Sequence, residues 1–251
     1  MIKVDIIQIP ELPTKKPRRS YVYTPKDYEK TQERYPVLYM FDGHNVFYNS
    51  HATYGRSWGM KQYLEKTKLP LIVAAVECNP EGNERIKEYS PWDIDAPRLG
   101  LLEGKGRVTM EWFTKIFKPM IDAEYRTLPD REHTMIAGSS MGGLMALYAA
   151  VEYNEVYSRA AALSPSLWVN PVGMKKLIGS KELADPTLVY MDLGSGEVGK
   201  HTEAYRAMFE TAKALSRKGA FSDARIVPGA MHCEEFWEKR IPVFFDYLLG
   251  K

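Results

Sequence analysis

Two serines of this chain stand in a spacing that nucleophilic catalysis uses. Gly-x-Ser-x-Gly occurs at Gly55-Arg56-Ser57-Trp58-Gly59 and again at Gly138-Ser139-Ser140-Met141-Gly142. The pattern carries chemistry only where a strand ends in a sharp turn into a helix. That turn lifts the hydroxyl out of the sheet, and the glycines let strand and helix backbones approach closely. Before Gly55 the run His51-Ala52-Thr53-Tyr54 has no strand character, so Ser57 reads as a helix N-cap. Ser140 is flanked by the apolar run Thr134-Met135-Ile136-Ala137 and by the small-residue helix pattern Leu144 to Ala150. Ser140 is therefore the candidate nucleophile. The backbone N–H of Met141, at the following helix N-terminus, is placed to receive a developing oxyanion.

A serine hydroxyl needs a base, and the chain has five histidines to supply one. For a nucleophile on a strand-turn-helix elbow the chain order is serine, acid, histidine, which sets aside His44 and His51. His133 precedes its strand and so lies at the wrong edge, and His201 begins a helix as an exposed residue. His232 follows the last strand and precedes the C-terminal helix, where a loop can carry an imidazole over the sheet edge. The acid should leave the sheet after the strand Thr187 to Met191. Asp192, at the strand end, is expected to be held by amides of its own turn. Glu197, beyond Gly194 and Gly196, is freer to reach His232 and is favoured, with Asp192 the alternative. No histidine pair has ligand spacing and no His-Glu-x-x-His occurs, so no metal is expected.

These residues require a scaffold that aligns strand ends along one edge. Strand patterns are read at Ile2 to Ile9, Arg18 to Thr24, Pro36 to Phe41, Pro70 to Val76, His133 to Ala137, Arg159 to Leu163, Thr187 to Met191 and Ala224 to Val227. Val37 to Phe41 and Leu71 to Val76 are continuous apolar runs, as strands buried on both faces must be, whereas Ser20-Tyr21-Val22-Tyr23 alternates and suits an antiparallel edge. Helix patterns cover Met110 to Tyr125, Met141 to Tyr153, Glu203 to Lys218 and Glu234 to Leu249. The repeated β-then-α order gives a three-layer α/β sandwich, with a mostly parallel central sheet and an antiparallel N-terminal edge. No linker interrupts it, so residues 1–251 read as one catalytic domain. The segment Asn79 to Val108 breaks the rhythm with Pro80, Gly82, Pro91, Pro97, Gly100, Gly104 and Gly106, and is expected to be a lid or pocket loop.

Composition narrows the function classes. The 251 residues are 45% hydrophobic and 26% charged, enough for one large core, and 34 Lys+Arg against 32 Asp+Glu leave a formal charge of +2. That balance offers no basic surface for nucleic acid. The cluster Lys15, Lys16, Arg18 and Arg19 reads as a solvated start of an edge strand. No apolar run approaches a membrane span, and the first ten residues carry Lys3 and Asp5 where a signal peptide would be apolar. A cytoplasmic location is expected, with Cys78 and Cys233 as unpaired thiols. Oligomeric state has no signature in the sequence.

With these residues in place the chain resembles the α/β-hydrolase esterase family that includes esterase D-type enzymes, feruloyl esterases and siderophore (enterochelin) esterases. The resemblance runs from about Tyr21 to Leu249. It is carried by Pro36 to Phe47 as strand and oxyanion loop, by Arg85, Glu88, Tyr89 and Pro91 as an Arg-x-x-Glu-Tyr-x-Pro segment, and by Ile121 to Thr127. The elbow Gly138 to Gly143 and Ser164-Pro165-Ser166-Leu167-Trp168 complete it. It implies Ser140 as nucleophile, His232 as base and an acid at Glu197, although the family often has Asp there. It also implies a second oxyanion amide at His44 and no cofactor. Trp237 falls at the family's His-x4-Trp position but reads as a core residue of the last helix.

The implied activity is ester hydrolysis through an acyl-enzyme. The crevice rule for α/β sheets places the ligand at the carboxyl edge, where Trp168 and Trp92 are expected to line the pocket. Small soluble esters, acylated sugars or aryl esters, are the expected substrates. A trilactone esterase, an acyltransferase and a catalytically silent binding protein are the rival readings.

Overall fold

Side chains on a strand point alternately to the two faces of its sheet, and along the central strands of this chain both faces are apolar. Val37, Tyr39 and Phe41 enter one core layer while Leu38 and Met40 enter the other. Ile72, Ala74 and Val76 divide from Val73 and Ala75 in the same way. Strands of this kind need helices over both faces. The computed structural model, which describes residues 1–12, 16–198 and 202–250, has that architecture.

Eight strands form the central sheet: β1 (Ile2–Ile7), β2 (Arg18–Tyr23), β3 (Val37–Met40), β4 (Ile72–Val76), β7 (Thr134–Ser139), β8 (Arg159–Leu163), β9 (Leu188–Gly194) and β10 (Phe221–Val227). A separate hairpin, β5 (Ile94–Ala96) and β6 (Gly100–Leu102), lies within the segment 79–108. The sheet order is β1-β2-β4-β3-β7-β8-β9-β10. β1 and β2, and β2 and β4, run antiparallel; every other neighbouring pair is parallel. The eight strand patterns read in the sequence are the eight strands of this sheet.

The helices are α1 (Met60–Thr67), α2 (Glu84–Glu88), α3 (Gly106–Trp112), α4 (Lys118–Glu124), α5 (Met141–Glu152), α6 (Pro171–Ser180), α7 (Ser195–Val198), α8 (Glu203–Arg217), α9 (Glu234–Glu238) and α10 (Ile241–Leu249). α1 and α10 cover one face through Met60, Leu64, Ile241, Phe244, Phe245 and Leu248. α3, α5, α6 and α8 cover the other through Met110, Leu144, Leu147, Met174, Ile178, Met208 and Leu215. α3 and α4 are one continuous rod joined by a π-helical turn, Phe113–Phe117, which stacks Phe117 on Trp112 at 5.3 Å and sets Phe113 against Phe41 at 5.0 Å. The helix pattern Glu234 to Leu249 is in fact two helices, because Pro242 in the first turn of α10 supplies no amide for a continuing ladder. None of the helices among the described residues is long and apolar enough to cross a membrane.

α5 is apolar all round, and every residue from Met141 to Val151 is buried. It can lie that close to the sheet because of its glycines: a Cβ at Gly138 would stand 2.5 Å from the backbone carbon of Gly142, and one at Gly143 would stand 2.9 Å from the Leu163 carbonyl oxygen. Gly138→Ala is therefore expected to lower the unfolding free energy, read from urea titration, by more than the ~1–3 kcal/mol of ordinary overpacking, since backbone rather than a side chain must give way. A stability within about 1 kcal/mol of wild type would show that the elbow tolerates separation.

The basic N-terminal cluster is solvated only in part, with Lys16 exposed, Arg19 half-buried and Arg18 inside. Arg18 is buried and makes a two-pronged pair with Glu88 at 2.6 and 2.5 Å, Arg19 pairs with Glu77 at 2.7 Å, and Lys16 pairs with Glu81. Lys15 lies outside the described residues.

Candidate active site

Ser140 caps α5 with φ 58° and ψ −122°, a conformation that costs a residue with a Cβ of order 1–3 kcal/mol. Neighbouring loops hold it there. The Ser140 N–H donates to the Leu163 carbonyl at 2.9 Å, and the Ser140 carbonyl accepts from the Ser166 N–H at 3.0 Å. Its hydroxyl lies 3.4 Å from Ser166 Oγ. Met141 opens α5, so its amide has no intrahelical acceptor. Opposite runs the 3₁₀ turn Gly43–Asn45, whose closing bonds use the amides of Asn45 and Val46 rather than that of His44. This turn presses on β4 so closely that a Cβ at Gly43 would stand 2.9 Å from the Val76 backbone.

Asp42, just before that turn, is itself in the left-handed region at φ 55°. Three contacts fix it. Arg85 Nε and Nη2 each donate to its carboxylate at 2.8 Å, and its N–H donates to the Tyr89 hydroxyl at 3.1 Å. Burial alone would raise the Asp42 carboxyl; the Arg85 guanidinium holds it below the usual carboxylate range. Residues of the Arg-x-x-Glu-Tyr-x-Pro segment thus divide their work. Arg85 and Tyr89 brace the oxyanion turn, and Glu88, through Arg18, ties the segment 79–108 to β2. That segment is folded, with α2 and the β5–β6 hairpin, and contributes Pro80, Gly82, Arg85 and Ile86 to one cavity wall.

His232 and Glu197 meet as the sequence suggests: His232 Nδ1 lies 2.7 Å from Glu197 Oε2. That contact leaves Nε2 for the cavity. The imidazole is half exposed, whereas the Glu197 side chain is only 5% exposed. Trp237 stands edge-on to the His232 ring, 5.0 Å between centroids, so it is both a core residue and the shelf on which the imidazole rests.

Asp192 does something else. It is fully buried, accepts from the Tyr190 hydroxyl at 2.8 Å and pairs with Arg240 at 2.7 Å, so side chains hold it rather than the amides of its turn. Arg240, also buried, reaches Glu197 Oε1 at 3.3 Å and Ser164 Oγ at 3.1 Å. Ser164 Oγ accepts as well from Trp237 Nε1 at 3.0 Å and donates to Glu197 Oε1 at 2.7 Å. A fourth donor, the Gly194 N–H, completes the Glu197 shell at 2.7 Å. Burial acts to raise both carboxyls. Asp192 is pushed up to about 6, while hydrogen bonds from His232, Ser164 and Gly194 bring Glu197 below its usual value.

Sequence reasoning missed Arg240, and one signal could have found it. A proline two residues after a lone arginine, in Arg240-Ile241-Pro242, marks a helix break that turns that arginine out of the helical register.

Ser140 and His232 line one cavity of about 360 Å³ together with Asp42, His44, Asn45, Thr53, Tyr54, Cys78, Glu234 and Trp237. Trp168 and Trp92, expected in the pocket, do not line it. Trp168 is 56% exposed on a 3₁₀ turn, and Trp92 packs edge-on against Tyr148 at 6.1 Å. Ser57 is also elsewhere. Its hydroxyl donates to Asn49 at 2.9 Å and accepts the Gly59 N–H at 3.3 Å, while Gly59 itself caps α1, so Ser57 steadies the turn before the helix and is not the cap. His133 pairs with Asp130 at 2.8 Å at the far edge of the sheet, and His201 lies outside the described residues. Asp42, His44 and Cys78 bring three donor atoms within 4.8 Å of one another. A cation does not suit them, because both Asp42 oxygens are taken by Arg85, whose charge occupies that side. Burial further pushes the Cys78 thiol well up, away from the thiolate a metal would need.

Residues 13–240 match the model of the family described as "Putative esterase". Protein YbbA of Bacillus subtilis (strain 168) is 25% identical over 243 residues, covering 93% of this chain and 93% of that protein. Among solved structures, the IroE-like serine hydrolase of Shewanella oneidensis has a TM-score of 0.77 at 18% identity, covering 100% of this chain and 79% of that one. The enterobactin esterase of Shigella flexneri has a TM-score of 0.74 at 18% identity and covers 100% of this chain and 59% of that one.

Proposed function

This chain belongs to the esterase family and is a carboxylic ester hydrolase, and on that premise we propose that Ser140, His232 and Glu197 are its catalytic triad. The observation that carries the reading is the 2.7 Å contact between His232 Nδ1 and Glu197, which orients the imidazole toward the cavity that Ser140 also lines. Ser140 Oγ attacks the ester carbonyl as His232 Nε2 takes its proton. The carbonyl's π pair moves to oxygen, where the amides of Met141 and His44 receive it, one such donor being worth about 2.7–4 kcal/mol of barrier. His232 then gives the proton to the leaving alcohol, and water repeats the attack on the acyl-enzyme. In the structure the Ser140 hydroxyl lies against Ser166 Oγ at 3.4 Å, and its bond to His232 Nε2 forms as substrate fills the cavity. Glu197, held by four donors, keeps the ring oriented and balances the imidazolium.

The substrates of this reading are small esters with a polar alcohol part. A cavity of about 360 Å³ lined by Asp42, His44, Asn45, Thr53, Arg85 and Glu234 rewards hydrogen-bonding groups, not a long acyl chain. Trp168 drops out of the aryl-ester reading. Trp168→Ala is expected to leave kcat/KM for acetylated and feruloylated sugars within about twofold, as for other exposed surface changes. A selective loss on the feruloyl ester would return the indole to the site. The test of the reading itself is a hydrolysis panel of acetyl sugar, simple butyrate, trilactone and long-chain triglyceride, run with and without an added alcohol acceptor. Turnover of the small polar esters with water as acceptor is expected. Triglyceride preference, or product only in the presence of the acceptor, would reject it.

A further inference from the structure

Glu234 is a carboxylate in the cavity wall that the hydrolytic mechanism does not use. It is 5% exposed at the start of α9, and among the described residues its one side-chain partner is Asn45, whose Nδ2 donates to Oε1 at 3.2 Å. No lysine or arginine among the described residues forms an ion pair with it. Of the charges around it, Arg85 and His232 favour its ionised form, but each is paired with another carboxylate. Arg85 is committed to Asp42, and Arg240 is shared by Asp192 and Glu197. Four carboxylates therefore stand against two guanidiniums at this edge of the sheet. A buried carboxylate without a counter-charge is costly unless something cationic completes it.

We propose that Glu234 selects substrates carrying a cationic nitrogen on their alcohol part, a few bonds from the ester oxygen. This rests on the reading that Ser140 and His232 hydrolyse esters here. Glu234 follows His232 by two residues, and both line the same cavity. The carboxylate therefore flanks the side from which the imidazole hands its proton to the leaving alcohol. Burial raises the Glu234 carboxyl, and an ammonium docked beside it favours the ionised form, so binding and charge reinforce one another.

The probes are butyrate esters of equal shape and different charge: dimethylaminoethyl butyrate, protonated at neutral pH, and isoamyl butyrate, its neutral isostere. Wild type is expected to favour the cationic ester in kcat/KM by about tenfold or more, as a charge-assisted hydrogen bond would give. Glu234→Gln keeps the shape and loses the charge, and the ratio between the two esters should collapse toward one. Glu234→Asp keeps the charge and should retain a preference, which separates selection from a general disturbance of α9. Butyrylcholine, cationic without an N–H, reads the part due to charge alone. Turnover of both esters with no preference in wild type, or a preference that survives Glu234→Gln, overturns the inference and leaves the esterase reading standing. Failure to turn over either ester, with Ser140 unlabelled by a serine-directed phosphonate, overturns that reading and the inference with it.

Discussion

Ser140→Ala leaves a folded protein whose kcat falls on the order of 10⁶-fold, because a triad acts as a unit and loses nearly everything with its nucleophile. The fold should survive. Alanine keeps the Cβ that the elbow already accommodates, and the backbone bonds from the Ser140 N–H to Leu163 and from the Ser166 N–H to Ser140 do not involve the hydroxyl. The residual rate should still exceed that in water through the oxyanion amides and binding. A serine-directed phosphonate is expected to label Ser140 and spare Ser57, which sits outside the cavity with its hydroxyl engaged by Asn49. Labelling at Ser57, or activity that survives the substitution, would refute the assignment.

Glu197→Gln should cost about 10⁴-fold in kcat, the order seen when a triad carboxylate becomes an amide that favours the wrong imidazole tautomer. Stability should fall little, since Arg240 keeps its 2.7 Å partner Asp192. Asp192→Asn is expected to show the opposite split. It removes the closest ionic partner of a buried guanidinium, which costs about 3–5 kcal/mol for such pairs, yet it touches neither His232 nor the cavity. Urea midpoints and kcat measured on both variants decide the matter. The reverse ranking in kcat would move the triad acid to Asp192, and small equal effects would describe a Ser–His dyad.

How far the sequence reveals this molecule depends on what each element must bury. Most strands of the main sheet announce themselves because both faces or one whole face are apolar, whereas β2 and β10 carry polar residues on both faces and show only through short apolar stretches. α1 and α6 escape notice because only Met60 and Leu64, and only Met174 and Ile178, are buried on them, a stripe too thin to stand out from a loop. β9 runs on to Gly194 and β10 begins at Phe221, further than the apolar runs suggest, since a parallel ladder continues through polar residues where the partner backbone is present. The placing of Ser140 and His232 on one edge is legible from chain order and the strand-turn-helix context, which leave the acid open between Glu197 and Asp192. Trp168 and Trp92 are misplaced for the converse reason: the sequence locates a residue past a strand end but not the direction in which its side chain leaves. Arg18, Arg85, Asp192 and Arg240 find partners far along the chain, and no local pattern encodes such pairings.

The strained backbone at Ser140 sets catalysis against thermodynamic robustness at a single position. A glycine there would relax φ 58° without a Cβ, recovering about 1–3 kcal/mol of strain against roughly 0.4–1 kcal/mol of added unfolded-state entropy. Ser140→Gly should therefore melt above both wild type and Ser140→Ala while being as inactive as the latter. A population of this protein selected only for heat tolerance would tend to discard its nucleophile first, and a duplicated copy freed from turnover has a one-step route to a sturdier, silent fold. A melting temperature for Ser140→Gly below that of Ser140→Ala would show that neighbouring loops, not strain tolerated for function, set the elbow's shape.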